Sequence, residues 1–87
     1  MSFAPNYQTL STASHLGQLL KTTRKRHKIT QAMLANYVGV SQNRLSHLEN
    51  NPEEISVKQL LSWCAALELE LQLGERGSAA ASSSVEW

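Results

Sequence analysis

The feature that most constrains this chain is a pair of short helical patterns hinged on one glycine. Thr30 is a good N-cap for a helix from Gln31 to Tyr37 or Val38, and Leu34, Ala35 and Val38 make its buried stripe. Gly39 follows, the residue type that ends a helix because it tolerates a left-handed backbone. Val40 plugs the turn. Ser41 then caps a second helix, Gln42 to about Asn50, which buries Leu45 and Leu48. The turn Val38-Gly39-Val40-Ser41 holds the two helices near a right angle, and small Ala35 lets them approach closely. The outward face of the second helix then holds Gln42, Asn43, Arg44, Ser46 and His47, with no acid among them. Gln and Asn can pair with an adenine edge through two hydrogen bonds, and Ser can serve several bases. A helix, a glycine turn and a polar, acid-free helix face are the arrangement that fits the major groove of a duplex.

The rest of the chain is built around that pair. Residues 1–10 read as a flexible arm, because Pro5 and Asn6 break any regular pattern. Ser11, Thr12 or Ser14 can cap a first helix, in which Leu16, Leu19, Leu20 and Thr23 recur at helical spacing. It ends in Arg24-Lys25-Arg26-His27-Lys28, and cations there also suit the negative end of the helix dipole. Asn50-Asn51-Pro52 ends the third helix. Ser56 caps a fourth, running to Leu67, with Leu60, Leu61, Cys64 and Leu67 expected inward and Glu53 and Glu54 just ahead of its positive end. Trp63 lies beside that stripe, as core or dimer packing. The helical domain is therefore expected over residues 11–67.

From Leu67 to Leu73 leucine alternates strictly with Glu or Gln, which is the period of a strand. The propensities of Leu and Glu favour helix, and the period is preferred here over propensity. One strand cannot satisfy its own edges, and the chain offers no second candidate. Its natural partner is the same strand of another copy, so Leu67, Leu69, Leu71 and Leu73 are expected to pair across a homodimer. Residues 74–87 are mostly Gly, Ser and Ala, with nothing to bury, and read as a flexible tail. It closes on Trp87. That residue is either an incidental end or an aromatic anchor on a tether, tryptophan being the type most enriched at binding hot spots.

Net charge is only +1, but its distribution is polarised. Residues up to Leu48 include six bases and no acid, while from Glu49 onward there are seven acids and two bases. One part of the molecule suits a polyanion, and the other suits something else. The chain has enough residues for one domain, and a core of this size gains from a second copy. No apolar run reaches membrane-spanning length, and no signal-peptide pattern opens the chain, so a cytoplasmic protein is expected. His15, His27 and His47 lack metal-ligand spacing, Cys64 reads as a small buried hydrophobe, and no nucleophile–base pattern or phosphate loop is visible. No enzyme activity, cofactor or metal is expected.

Leu16-Gly17, Leu20, Arg24, Thr30-Gln31, Leu34-Ala35, Val38-Gly39-Val40-Ser41, Leu45-Ser46 and Leu48-Glu49-Asn50 together resemble the phage-repressor-like (Cro/C1, or XRE) helix-turn-helix family. The resemblance implies that Ser41, Gln42, Asn43 and Ser46 face bases. It implies that Gln31 bonds a phosphate and braces Gln42. Arg44, His47 and the basic end of the first helix (Lys25, Arg26, Lys28), with Thr30, would hold phosphates. Arg24 and Glu49 match a pair that bridges the first and third helices. One departure is Lys28, which stands where the family usually has glycine; lysine in a left-handed backbone costs about 1 kcal/mol or a little more.

Gln42, Glu49-Asn50-Asn51-Pro52, the Leu67–Leu73 segment and the tail closing on Glu86-Trp87 resemble, more particularly, the HipB-type antitoxins. That likeness implies an intertwined dimer, repression of its own operon and binding of a HipA-type kinase toxin. The expected fold is thus mostly α: a four-to-five-helix, phage-repressor-like helix-turn-helix domain with a short C-terminal strand pairing across a homodimer. The expected function is a sequence-specific repressor and antitoxin acting on palindromic double-stranded operator DNA, nucleoid-associated when bound. The rival readings are a stand-alone phage-like repressor without a toxin, and a protein-interaction module built on the same fold.

Overall fold

A computed structural model of the chain describes residues 7–76. It contains α1 (Ala13–Arg26), α2 (Gln31–Val38), α3 (Gln42–Asn50) and α4 (Val57–Ala66), with a 3-10 turn, Pro52–Glu54, between α3 and α4. All four helices begin the same way. A Ser or Thr hydroxyl accepts the backbone N–H three residues on: Thr12 from His15, Thr30 from Met33, Ser41 from Arg44 and Ser56 from Gln59. At Ser56 the Gln59 side chain accepts from the Ser56 N–H in return, completing a capping box.

Three helices also end alike. After α1, Lys28 is left-handed (φ 59°) and the Ile29 N–H reaches back to the Arg24 carbonyl. After α2, Gly39 is left-handed (φ 90°) and the Val40 N–H bonds to Ala35 O. After α4, Glu68 is left-handed (φ 57°) and Leu69 N–H bonds to Cys64 O. Each is a reversed turn that satisfies an orphan carbonyl and points the next residue inward. Ile29, Val40 and Leu69 all pack against the core.

That core is Leu20, Leu34, Ala35, Leu45, Leu48, Trp63 and Leu67. α2 lies against both α3 and α4, and α1 closes against α3 and the 3-10 turn. The closest approach is at Gly17, where a Cβ would stand 2.8 Å from Pro52 Cγ and 3.2 Å from the Glu49 carbonyl oxygen. The expected stripe of α4 needs one correction. Leu61 is 52% exposed and Trp63 is fully buried in its place. Leu60, Trp63, Cys64 and Leu67 keep the i, i+3, i+4, i+7 spacing of one helix face, which Leu61 does not.

Among the described residues no strand forms within the single chain. Leu67 is the cap of α4 and Glu68 is left-handed, so the expected strand cannot begin at residue 67. Part of the leucine alternation belongs to the helix ending: Leu67 is buried and Leu69 plugs the turn. Leu71 and Leu73 are 41% and 97% exposed. The Gln72 amide nitrogen lies 3.2 Å from the Tyr7 hydroxyl and 3.2 Å from a Glu70 carboxylate oxygen, which ties the C-terminal segment to the arm. The distal tail, with Trp87, and residues 1–6 of the arm lie outside the described residues.

Candidate nucleic-acid interface

α3 presents the expected face because its inward side is fully occupied. Leu45, Leu48 and Glu49 are buried, while Gln42, Asn43, Arg44 and His47 are exposed and Ser46 is half-buried. Ser41, just ahead of them, is exposed; its oxygen accepts the Arg44 N–H, so its hydroxyl hydrogen remains to donate.

The helix is held by a buried ion pair. Arg24 Nε donates to Glu49 Oε2 at 2.6 Å, and Nη2 to Oε1 at 3.2 Å. Arg24 Nη1 donates to the Ile29 carbonyl at 3.0 Å, fastening the end of α1 to the same pair. Both residues are nearly sealed from solvent, so their mutual pairing is what makes burial tolerable. Arg24 is therefore a structural cation.

Gln31 joins this network. Its Nε2 donates to Glu49 Oε1 at 3.0 Å, rather than to Gln42. The bond fixes the amide: the oxygen is left to accept, and one N–H is left to donate. That is compatible with the brace and the phosphate contact expected of Gln31, and the Glu49 bond is the part sequence reasoning missed. The i, i+18 spacing of two residues on different helices carries no local signal.

The remaining phosphate-binding candidates fall in two groups. Lys25, Arg26, Lys28 and Thr30 are all exposed at the end of α1 and the start of α2. Lys28 adopts the left-handed backbone expected of a glycine position. Thr30 is engaged as the α2 cap. Arg44 and His47 form the second group, and neither is free of the chain: Glu54 lies 3.9 Å from Arg44 Nη1 and 2.9 Å from His47 Nε2. Nothing in the sequence signals an acid this close to the outward face of α3, because Glu54 stands there only as a residue ahead of α4.

Elsewhere the chemistry is quiet. Burial pushes the Cys64 thiol pKa up, favouring the protonated form and its role as a small apolar side chain. Among the described residues no three His, Cys, Asp or Glu side chains gather as a metal site, and no helix is long and apolar enough to cross a membrane.

Four capped helices, with α2 and α3 joined through Gly39 and the polar face of α3 turned outward, define a helix-turn-helix domain of the kind that delivers a helix to DNA. The chain belongs to the helix-turn-helix family, which matches residues 20–73. It is similar to antitoxin HipB of Escherichia coli O6:H1, at 28% identity over 94% of this chain and 92% of that protein. It is likewise similar to antitoxin HipB of Escherichia coli K12, at 27% identity over 94% and 98%. Among solved structures it superposes on HipB in the HipA-HipB-O2-O3 complex with a TM-score of 0.72, at 27% identity over 80% of this chain and 99% of that one. HipB in the HipB-O4 20mer complex gives the same TM-score, 0.72, identity and coverage.

Proposed function

We propose that the chain is a homodimeric, sequence-specific repressor of its own operon and the antitoxin for a HipA-type kinase toxin. The observation that carries this reading is the outward face of α3. It sets exposed Gln42 and Asn43 with Ser41 and half-buried Ser46 on a helix whose other side is locked by Leu45, Leu48 and the Arg24–Glu49 pair. Those four residues read base edges, and Lys25, Arg26, Lys28, Thr30, Gln31, Arg44 and His47 hold phosphates, which fix register without carrying sequence. The dimer forms through the segment containing Leu71 and Leu73, exposed in the single chain and lining a groove with Leu16 and Leu19. It sets two recognition helices about 34 Å apart, one turn of duplex, on an inverted repeat.

HipB's presence with HipA in the HipA-HipB-O2-O3 complex supports a kinase-toxin partner here. The acidic part of the chain and the Trp87 tail are the surfaces proposed for it, and the site of action is the cytoplasm. The experiment has two arms. The chain is titrated with duplex from upstream of its own gene, and with scrambled duplex, at several salt concentrations. A chain ending at Ser84 is then compared with the full chain in capture of the kinase encoded beside it. Preference for the upstream duplex and loss of capture on truncation support the reading. Equal binding to both duplexes removes the repressor function, and unchanged capture removes the tail from the toxin interface.

A further inference from the structure

Among the described residues, Glu54 is the acid set against the outward face of α3. Its Oε1 lies 2.9 Å from His47 Nε2 and 3.9 Å from Arg44 Nη1. On the other side of the ring, the Asn51 amide nitrogen lies 3.5 Å from His47 Nδ1, and it donates to the His47 carbonyl at 2.9 Å. An amide nitrogen only donates, so Nδ1 faces a donor. The neutral tautomer that suits both neighbours carries its hydrogen on Nε2 and gives it to Glu54. Both ring nitrogens are thus turned to partners within the chain. A phosphate can take the Nε2 hydrogen only by displacing a carboxylate, and it meets that carboxylate's charge as it approaches.

We propose that Glu54 is a specificity-determining residue, acting as a positioning residue on His47 and as a negative charge beside Arg44 and the reading face. The inference rests on the DNA-reading function proposed above. Binding to random duplex is almost wholly phosphate attraction, so an acid beside Arg44 and bonded to His47 weakens it directly. On the cognate site the base contacts of α3 hold the complex together, and the 2.9 Å contact with Glu54 orients the His47 ring. Discrimination comes from penalising the wrong complex as well as favouring the right one.

The test compares the full chain with E54Q, E54D and E53Q on the upstream duplex and on a scrambled duplex of equal length, across a salt series. E54Q keeps the shape of the side chain and removes its charge; E54A repeats the removal should E54Q fail to fold. Glu53 faces the other way, lining the cleft with Ser14 and Lys21, so E53Q controls for loss of one charge. E54Q is expected to bind scrambled duplex roughly 3–10-fold more tightly, with a salt slope steeper by up to about 0.9 for each additional phosphate neutralised. Its preference for the upstream duplex falls about threefold or more, within the range a single interfacial contact supplies. E54D is expected to restore much of that preference, and E53Q to keep the wild-type ratio. An unchanged ratio in E54Q, or the same loss in E53Q, overturns the role of Glu54 while leaving α3 as the reader. A wild-type chain with no preference for the upstream duplex overturns the reading function itself, and the inference with it.

Discussion

Glu49 ties together three helices at one buried carboxylate. It sits on α3 and accepts from Arg24 on α1 and Gln31 on α2. Removing one partner of such a pair leaves the other charge stranded. Glu49→Ala is therefore expected to cost about 3–5 kcal/mol. Chemical denaturation followed by circular dichroism measures it, and a loss under about 1 kcal/mol would show that the pair is not holding the helices. Lys28 makes the opposite case. It occupies a left-handed position at some cost and keeps a cation at the end of α1. Lys28→Gly is expected to raise stability by about 0.5–1 kcal/mol, since glycine adopts that backbone freely but gives up more entropy on folding. The same variant should bind every duplex more weakly. If it becomes more stable without losing affinity, Lys28 stands outside the interface. The Arg24–Glu49 pair and the Lys28 strain were both legible from the resemblance of the sequence to its family. The Gln31–Glu49 bond and the His47–Glu54 contact were not, because each joins side chains whose meeting depends on packing rather than on spacing.

Helix starts were easier to read than helix ends. Thr30, Ser41 and Ser56 announce their helices by residue type, and Thr12 was among three named alternatives. Three of the four ends, those of α1, α2 and α4, follow one rule, a left-handed residue and then an apolar plug, but only Gly39-Val40 displays it in residue type. Lys28-Ile29 and Glu68-Leu69 perform the same turn with charged residues. At Glu68 this had a consequence. Leu67 and Leu69 face the core through the ending of α4, so half of an alternation that looks like a strand is a helix cap. Leu71 and Leu73 are left without that explanation. At the level of elements, the proposed function has α1 supply much of the charge for an interface that α3 reads. Replacing Lys25 and Arg26 by alanine should weaken binding to all duplexes alike and flatten the salt slope by up to about 1.8, at about 0.9 per phosphate contact. An unchanged slope would remove the end of α1 from the DNA.

For the whole molecule, the polarised charge and the exposed C-terminal leucines point to two different partners. The mostly α fold, the helix-turn-helix and the family were legible in the sequence because caps, the glycine turn and the apolar stripes are local signals. Pairing of two copies is not local to one chain. In the single chain Leu73 is almost fully exposed and Leu71 substantially so, beside a groove that also contains Leu16 and Leu19. If the proposed dimer forms through these leucines, Leu71→Lys with Leu73→Lys should leave the protein monomeric in sedimentation equilibrium. It should also weaken operator binding by about a hundredfold or more, because the second half-site is no longer bound at high effective concentration. A dimer that persists would place the subunit contact elsewhere.

The central claim is that the outward face of α3 reads sequence, with Gln42, exposed at its start, among the proposed readers. The most direct measurement is the affinity of Gln42→Ala for the upstream operator and for a panel of single-base variants, at one fixed salt concentration. The account predicts a loss of about 1–3 kcal/mol on the cognate operator, relaxed discrimination at one base pair of each half-site, and little change on random duplex. An equal loss on cognate and random DNA would contradict it, since Gln42 would then be holding the backbone and not reading a base.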